Sequence, residues 1–473
     1  MSTFDTSKYP WFPVKVQRGG PRSLDQCIEE REAWIEWETP NMSLPAGKRK
    51  ETRSWKRVPT AEDAKTLIND CVLKGYIPDS EHIGVTYFAQ GATNVLFLVT
   101  CPDWDFETSL LRITMPYDPF YQIESEVACM LKAALSGVPV PQCFLFDSSA
   151  DNPLGLEWMM IQKFEGPSLE AVYVREIRNG KPRIFDPNSG RGHQVLEEVA
   201  AYSRMLADHE FHHIGSLYFD WDSGHFLMGP IVDDEFLTKY GYRHSEGARG
   251  PFNSFEAYLS SLAGVRGAAV VDWIRERQWI RGPDRAGQRQ ALALKAIVGS
   301  LTTRLTTTLE KVYRAETPRG TGPFDGSWAY FQHDDLHIGN IVVRETGGEA
   351  IIEGIVDWSG CRIMPHFMRR SQGVPNVNEV FLGENFARAD SFNEMLSDKR
   401  ISDAWRYILR MTFGQRHIVR ELMPCDEHVS VATMVLHLWY RQVRKMDPMV
   451  QPDLRPVEAL DIFVNRFVQS GCE

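Results

Sequence analysis

The segment "HDDLHIGNIVV" at residues 333–343, with "GIVDW" at 354–358, decides the fold of this 473-residue chain. Two adjacent aspartates, Asp334 and Asp335, lie between short apolar runs that predict strands. A third aspartate, Asp357, comes at the end of a second apolar run, after a Gly-Gly turn. The predicted context is strand, loop, strand, turn and strand, with carboxylates in the loop and at the last strand end.

The spacing of the polar residues distinguishes the two adjacent aspartates. Phosphoryl transfer from ATP needs a carboxylate that orients the acceptor hydroxyl and takes its proton, and oxygen ligands that hold Mg²⁺. In the kinase pattern these are the Asp of His-x-Asp, an Asn five residues later, and an Asp after the next hairpin. The residues that match this order are His333, Asp335, Asn340 and Asp357.

These matches predict a role for each residue. Asp335 is the expected catalytic base, within a catalytic loop that also contains His333 and Asn340. Asn340 and Asp357 are the expected ligands of Mg²⁺. We expect His333 to fix the loop through hydrogen bonds and not to transfer a proton.

The whole run resembles the aminoglycoside phosphotransferase family, whose fold is shared with protein kinases. The usual pattern there is H-G-D-L-H-P-G-N-I followed by I-D-W. This chain departs from it where Asp334 replaces a small residue and Ile338 replaces proline. The resemblance covers residues 82–370 and extends to a large fungal branch, which includes a group described by altered inheritance of mitochondria.

The resemblance implies an α+β, two-lobed protein-kinase-like fold. A small antiparallel-sheet N-lobe with one helix would precede a larger, mostly helical C-lobe. The hydrophobic periodicity agrees, because strand patterns surround one helical pattern at 124–135. The predicted divisions are an N-terminal helical extension (1–79), a nucleotide-binding N-lobe (80–166) and a C-lobe (167–473) with the catalytic loop (331–343) and the metal-binding Asp segment (351–360).

The predicted N-lobe supplies candidate nucleotide contacts. Gly91 and Asn94 resemble the phosphate-covering loop of the family, and Arg112 stands on the next strand where the family usually has lysine. The acidic partner of Arg112 would come from the single helix, where Glu124 and Glu126 are both available. Residues two apart face different ways on a helix, and the family's "SEVA" pattern points to Glu126.

The strand before Gly166 resembles the hinge between the two lobes. There the resemblance implies that backbone groups of Gln162 and Phe164 bind adenine and that Ile161 lines the pocket. The implied cofactors are ATP and Mg²⁺, and the implied partner is a small molecule with a hydroxyl acceptor.

The N-terminal residues predict two helices and a linker. The run 24–37 has helical spacing, and the polar, basic run 46–57 predicts an exposed linker. Thr60 and Asp63 predict a capping box at the start of a second helix, which Gly75 would end.

Composition bounds the function and the location. The net charge of −11 argues against a dedicated nucleic-acid binder. The eight cysteines form no C-x-x-C pair, and the N-terminus has no apolar signal region. No apolar run has the length of a membrane helix. These features predict an intracellular protein, with the cytoplasm favoured and the mitochondrion as the alternative.

Two other functions remain open at this point. A kinase-like nucleotide-binding protein with little turnover is consistent with Asp334, with arginine at position 112, and with the long extensions. A metal hydrolase using the His333–Asp334 doublet is disfavoured, because such doublets usually lie on helices and this one lies between two strand-like runs.

Overall fold

The computed structural model describes residues 14–15, 20–38, 52–104, 108–172, 195, 198–199, 201–202, 205–206, 210–234, 236–254, 257–258, 261–262, 264–265, 268–269, 272, 329–333, 335–336, 338–346 and 349–365. The bounded α-helices are α1 (Leu24–Trp34), α2 (Ala61–Leu73) and α3 (Tyr121–Leu135). The strands are β1 (Val14–Lys15), β2 (Ile35–Glu38), β3 (Thr52–Trp55), β4 (Gly84–Gln90), β5 (Asn94–Thr100), β6 (Thr108–Thr114), β7 (Cys143–Asp147), β8 (Trp158–Gln162), β9 (Glu210–Phe211), β10 (Ser216–Asp220), β11 (His225–Gly229), β12 (Ala329–Gln332), β13 (Ile341–Thr346), β14 (Glu349–Ile355) and β15 (Arg362–Pro365).

The largest sheet forms the N-lobe and has the order β1-β7-β8-β6-β5-β4. Its neighbours are antiparallel except for the short β1, which runs parallel to β7. In β5 the alternate residues Val95, Phe97 and Val99 are almost completely buried, as expected for a strand with one core face. The single helix α3 follows β6, the third strand of the β4–β8 series. This is the order of the small lobe of protein kinases, where the third strand carries the phosphate-binding lysine.

The register of the sheet places the predicted phosphate contacts on one face. Arg112 lies opposite Leu96 on β5 and opposite Met159 on β8. Thr114, two residues after Arg112, lies opposite Asn94. Because side chains alternate along a strand, Arg112, Thr114 and Asn94 share a face. Helix α3 packs on this face, since Glu126 contacts Arg112.

The N-terminal extension is folded and contains β-structure. Helix α1 begins after a capping box at Ser23 and ends at Trp34, where the chain continues into β2. Strand β2 pairs with β3, so the prediction of an exposed linker over 46–57 is wrong for its last part. Trp55 is only 8% exposed, because its ring packs edge-on against Trp34. Residues 39–51 lie outside the described residues.

Helix α2 begins and ends as its sequence predicts. The Thr60 side chain accepts the backbone N–H of Asp63, and the Asp63 carboxylate accepts the backbone N–H of Thr60. The helix ends just before Gly75, which has a left-handed backbone with φ of +72°. Glycine adopts this conformation without the steric cost that a side chain brings.

The described part of the C-lobe consists of small sheets and helical residues. Strands β9, β12 and β15 form one sheet, β13 pairs with β14, and β10 pairs with β11. Helical residues occur within 195–206 and 257–272. The expectation of a mostly helical C-lobe did not include the β10–β11 hairpin, which packs against α3. Residues 288–316, where the apolar spacing is typical of a long helix, and the C-terminal tail lie outside the described residues.

The α+β class with an antiparallel N-lobe sheet is therefore confirmed. The six described cysteines are unpaired and buried, as expected for reduced thiols: Cys27, Cys71, Cys101, Cys129, Cys143 and Cys361. Within the described residues, no helix combines the length and apolar character needed to cross a bilayer.

Candidate active site

The catalytic loop is shaped by the ring of His333. The backbone N–H of Asp335 donates to His333 Nδ1 at 3.3 Å, and His333 Nε2 lies 3.1 Å from the Val356 carbonyl oxygen. Because Nδ1 accepts, Nε2 carries the hydrogen and donates it, which is the neutral imidazole. With only 2% of its surface exposed, His333 is committed to holding Asp335 and the end of β14.

Residue Val356 joins the loop to the third aspartate. Its N–H donates to the Asn340 carbonyl at 2.9 Å, while its carbonyl accepts from His333. The Asn340 side-chain Nδ2 donates to the Asp335 carbonyl at 2.9 Å. Both backbone groups of Val356 are thus hydrogen-bonded, and Asp357 is the next residue. These bonds bring the three oxygen-bearing side chains predicted from the sequence to one place.

Asp357 itself has an unusual backbone. Its φ is +62°, in the left-handed region, which aspartate enters more readily than most residues. The Ser359 hydroxyl donates to Asp357 Oδ1 at 2.8 Å. The next residue, Trp358, is buried against the His333 ring at 4.6 Å between centroids. Hydrogen bonding and packing therefore set the direction of the Asp357 carboxylate.

A buried ion pair joins β6 to α3. Both Nη atoms of Arg112 donate to the Glu126 carboxylate, one of them at 2.7 Å to Oε2. Burial opposes the charge on Arg112, but Glu126 outweighs it and the pKa of Arg112 is raised. Burial also raises the pKa of Glu126, against the pull of Arg112. The structure forms the predicted pair between these two residues.

The ion pair lies near Asp357. The negative charge of Asp357 raises the pKa of both Arg112 and Glu126, so the three groups are electrostatically close. The backbone agrees, because the Ile355 N–H donates to the Pro139 carbonyl just after α3, at 2.9 Å. The carboxylate that follows β14 and the cation on β6 therefore lie close to each other.

The alternative acidic residue, Glu124, points elsewhere. Its carboxylate accepts the Ser148 hydroxyl and, at 3.3 Å, the Trp221 indole N–H. Trp221 comes directly after β10, the first strand of the β10–β11 hairpin. Glu124 thus anchors α3 to β7 and to the C-lobe, and Glu126 is the partner of Arg112.

The predicted phosphate loop leaves polar atoms without partners. Gly91 closes the β4–β5 turn, its N–H donating to the Asn94 carbonyl at 2.9 Å. The side-chain Oδ1 of Asn94 and the Nε of Arg112 are buried and make no hydrogen bond in the structure. The hydroxyl of Thr114, on the same face, has no partner either. Buried polar atoms without partners are rare in proteins and mark places where a ligand or water binds.

In the predicted hinge, one backbone donor is already engaged. The Gln162 N–H donates to the Gln142 carbonyl at 2.7 Å, so this donor is not available to adenine. Ile161 is 9% exposed and shares the Arg112 face through its partner Leu110. The Phe164 ring lies so close to Gly354 that a Cβ there would collide with it. Phe164 thus fastens the hinge to β14.

A carboxylate that the sequence did not single out completes the hinge. Glu353 accepts the Gly166 N–H at 2.9 Å through Oε2 and the Arg344 guanidinium at 2.7 Å through Oε1. Val343 donates to the Pro167 carbonyl at 3.0 Å beside it. Nothing in the sequence pattern relates Gly166 to Glu353, which are 187 residues apart. The hinge is therefore bound directly to the β13–β14 hairpin that ends in Asp357.

The residues fit the cofactors that the sequence implies. Asn340 and Asp357 offer amide and carboxylate oxygens, the hard ligands that Mg²⁺ prefers. The partnerless Arg112 Nε is a donor and suits a phosphate oxygen, whereas the Asn94 Oδ1 is an acceptor and suits a water or a hydroxyl donor. No cluster of three or more His, Cys, Asp or Glu able to hold a metal is found among the described residues. Asp334 and His337 lie outside them.

Curated relatives of the chain are fungal. A subtelomeric hrmA-associated cluster protein of Aspergillus fumigatus is 25% identical over 325 residues, which are 62% of this chain and 60% of that protein. Altered inheritance of mitochondria protein 9, mitochondrial, of Kluyveromyces lactis is 31% identical over 108 residues, 22% of this chain and 16% of that protein. The chain thus spans less than two thirds of these relatives. The resemblance to the altered-inheritance group is confirmed, and no family model matches the chain.

Solved structures with a similar course of the chain include an aminoglycoside phosphotransferase and a choline kinase. The GDP complex of aminoglycoside 2'-phosphotransferase-IIIa is 12% identical, covers 80% of this chain and 99% of its own, and has a TM-score of 0.36. Choline kinase from Cryptosporidium parvum is 14% identical, covers 84% and 99%, and has the same TM-score of 0.36. With both TM-scores below 0.5, the fold described above rests on strand order and contacts.

Proposed function

We propose that this chain is an ATP- and Mg²⁺-dependent phosphotransferase that transfers the γ-phosphate to a hydroxyl of a small molecule. The observation that carries the proposal is the joining of Asp335, Asn340 and Asp357 around Val356, facing the buried Arg112–Glu126 pair. This arrangement has the parts that phosphoryl transfer requires, namely a base, oxygen ligands and a cation fixed by a carboxylate.

Each residue has a distinct task in the proposed reaction. Asp335 accepts the proton of the acceptor hydroxyl, whose oxygen bonds to phosphorus as the bond to the departing ADP oxygen breaks. His333 orients Asp335 through the Asp335 N–H. Asn340 and Asp357 would hold Mg²⁺, which when bound neutralises charge on the phosphates.

The N-lobe would bind the nucleotide, with residues 80–166 as its domain and residues 167–473 as the acceptor lobe. Arg112, oriented by Glu126, would contact the phosphates, and the loop with Gly91 and Asn94 would cover them. Ile161 and the backbone of Phe164 would contact adenine. The Gln162 backbone would contribute through its carbonyl alone, since its N–H is bonded to Gln142.

The location follows the composition and the relatives. The unpaired cysteines of the described residues support an intracellular protein, and we propose the cytoplasm. The word "mitochondrial" in the name of the Kluyveromyces lactis relative supports the mitochondrion as the alternative.

A second function, a kinase-like nucleotide-binding protein with little turnover, is supported by one contact. Glu126 engages both Nη atoms of Arg112, in a bidentate pair that a lysine could not form. Fewer N–H groups of the Arg112 guanidinium are then available to the phosphates. This protein would bind nucleotide equally well with Asn at position 335 and would consume no ATP with any hydroxyl compound.

Thermal stabilisation by Mg²⁺-ATP tests the proposal. A ligand at 100 times its Kd adds about 2.7 kcal/mol to the free energy of unfolding by mass action. We expect a rise of Tm for the wild type with Mg²⁺-ATP, a smaller rise with ATP and EDTA, and none for Asp357→Ala. No rise for the wild type would overturn the proposal.

A further inference from the structure

The residues that lead into α3 have an unusual conformation. We call residues 117–120 the α3 entry. Phe120, which precedes the first turn, has φ of +70°, a conformation that side-chain-bearing residues rarely adopt. Its side chain makes no capping hydrogen bond to the helix. Other groups must therefore fix the direction in which α3 begins.

Glu157 holds the last residue of the entry. Glu157 Oε1 accepts both the backbone N–H of Phe120 and the Nη2 of Arg22. Arg22 also donates to the Ser148 carbonyl at 2.7 Å and pairs with Glu30 of α1 at 2.7 Å. The Glu157 side chain is only 2% exposed, so Arg22 is the counter-ion of a buried carboxylate.

Two more arginines hold the first residues of the entry. Arg31 of α1 donates to the Tyr117 carbonyl and, at 2.8 Å, to the Leu237 carbonyl of the C-lobe. Asp118 is completely buried and pairs with Arg249. Two of the three arginines around the entry thus come from the N-terminal extension.

We propose that Arg22 and Arg31 are positioning residues, which fix the α3 entry and thereby place Glu126 against Arg112. The helix connects the two places directly, since Glu126 lies less than two turns after Phe120. A shift or tilt of the first turn changes the position of the Glu126 carboxylate, whose two bonds to Arg112 require close alignment. For nucleotide binding the inference rests on the proposed function. The part of the inference that concerns the geometry of α3 does not depend on the proposed function.

The ionisation of Glu157 gives this arrangement a dependence on pH. Burial raises the pKa of Glu157 from 4.5 to about 8, against the effects of Arg22 and of the Phe120 N–H, with Glu30 adding to the rise. The folded protein therefore keeps a proton that the unfolded chain loses. The free energy of unfolding falls as pH rises from 4.5 towards 8. Above pH 8 the charged carboxylate depends on Arg22.

Amide hydrogen exchange of the ligand-free full chain tests the geometric part. We expect Arg22→Met to speed exchange in residues 121–126 about tenfold, with a larger factor at pH 9 than at pH 7. Arg57→Met is the matched control, because Arg57 belongs to the same extension but pairs at the surface with Asp63. If residues 121–126 of Arg22→Met exchange at the same rate as those of the wild type, the proposal is overturned.

A second variant separates positioning from loss of structure. In Arg22→Met/Glu157→Gln the amide oxygen at 157 still accepts the Phe120 N–H and needs no counter-ion, so exchange should return to the wild-type rate. Failure of this rescue would overturn the proposal. If Arg22→Met does not fold, Glu157→Gln alone should remove the change of α3 exchange between pH 7 and pH 9, after correction for intrinsic rates. If α3 exchange in Glu157→Gln still changes between pH 7 and pH 9, the proposal is overturned.

Mg²⁺-ATP titration tests the functional part. We expect the Kd of Arg22→Met to be about tenfold higher than that of the wild type, and that of the double variant to be restored. Faster α3 exchange with an unchanged Kd would overturn the link to the nucleotide site. A wild type that binds no Mg²⁺-ATP would instead contradict the proposed function, while the exchange experiment would still decide the role of Arg22.

Discussion

The proposed catalytic loop and the α3 entry are held in different ways. The loop is fixed by hydrogen bonds between residues that are 2, 5 and 23 positions apart, from Asp335 to His333, from Asn340 to Asp335 and from His333 to Val356. The entry is fixed by charged side chains that lie far away in sequence, with 86 positions between Arg31 and Tyr117 and 131 between Arg249 and Asp118. A motif can encode the first arrangement, while the second exists only after the chain has folded.

This difference has a consequence for mutations. The loop residues Asp335 and Asn340 are half-buried. Changes there should affect chemistry and leave the fold intact. The ion pair that depends on the entry is buried, so changes there should affect stability and ligand binding together.

The largest expected effect is that of Asp335→Asn. Loss of a general base lowers kcat by about 10²–10⁴-fold, while the affinity for Mg²⁺-ATP should stay near the wild-type value because the metal ligands remain. Phosphoryl transfer to a panel of small hydroxyl compounds measures the rate, and calorimetry measures the affinity. Asp334→Gly is the control and should keep substantial activity. Equal loss in both variants would mean that the two aspartates have been assigned the wrong way round.

A second, smaller effect is expected at the buried ion pair. Arg112→Met or Glu126→Gln alone should lower the free energy of unfolding by about 3–5 kcal/mol, because each leaves a buried charge without its partner. The double variant Arg112→Met/Glu126→Leu should recover most of that stability in denaturant unfolding. It should nevertheless show no rise of Tm with Mg²⁺-ATP. If the double variant still binds the nucleotide, the Arg112–Glu126 pair is not part of the nucleotide site.

The smallest effect separates the two faces of β6. Ser109 and Thr114 both have buried hydroxyls without a hydrogen-bond partner, but they lie on opposite faces of the strand. Ser109→Ala and Thr114→Val should each raise the free energy of unfolding of the ligand-free protein by about 1 kcal/mol. The increase should be seen as a higher Tm. Only Thr114→Val, on the Arg112 face, should reduce the further rise with Mg²⁺-ATP. An equal reduction in both variants would contradict the assignment of the nucleotide to that face.

Several features were predictable because their causes are local. The Thr60–Asp63 capping box needs only four consecutive residues, and the structure forms it. The apolar run "NVLFLVT" is typical of a strand, and the structure forms β5 there. The choice of Glu126 over Glu124 followed from a resemblance, and the structure gives the two carboxylates different partners.

Other features could not be predicted, because their causes are distant contacts. The run that contains Thr52–Trp55 is polar and basic, and it becomes a strand because β2 and the Trp34 ring lie beside it. The β10–β11 hairpin was missed because its burial comes from packing on α3, which the local sequence does not encode. The Gly166–Glu353 bond likewise required the lobes to meet.

The sequence by itself determined the order and spacing of His333, Asp335, Asn340 and Asp357, since hydrogen bonds within a short loop and one hairpin are enough to arrange them. Only the tertiary structure decided how α3 is held and thus where Glu126 meets Arg112. Three arginines hold its entry, two from the N-terminal extension and Arg249 from the C-lobe. The physical reason is that a buried charge needs a partner, and its partner can come from any part of the chain that the fold brings near.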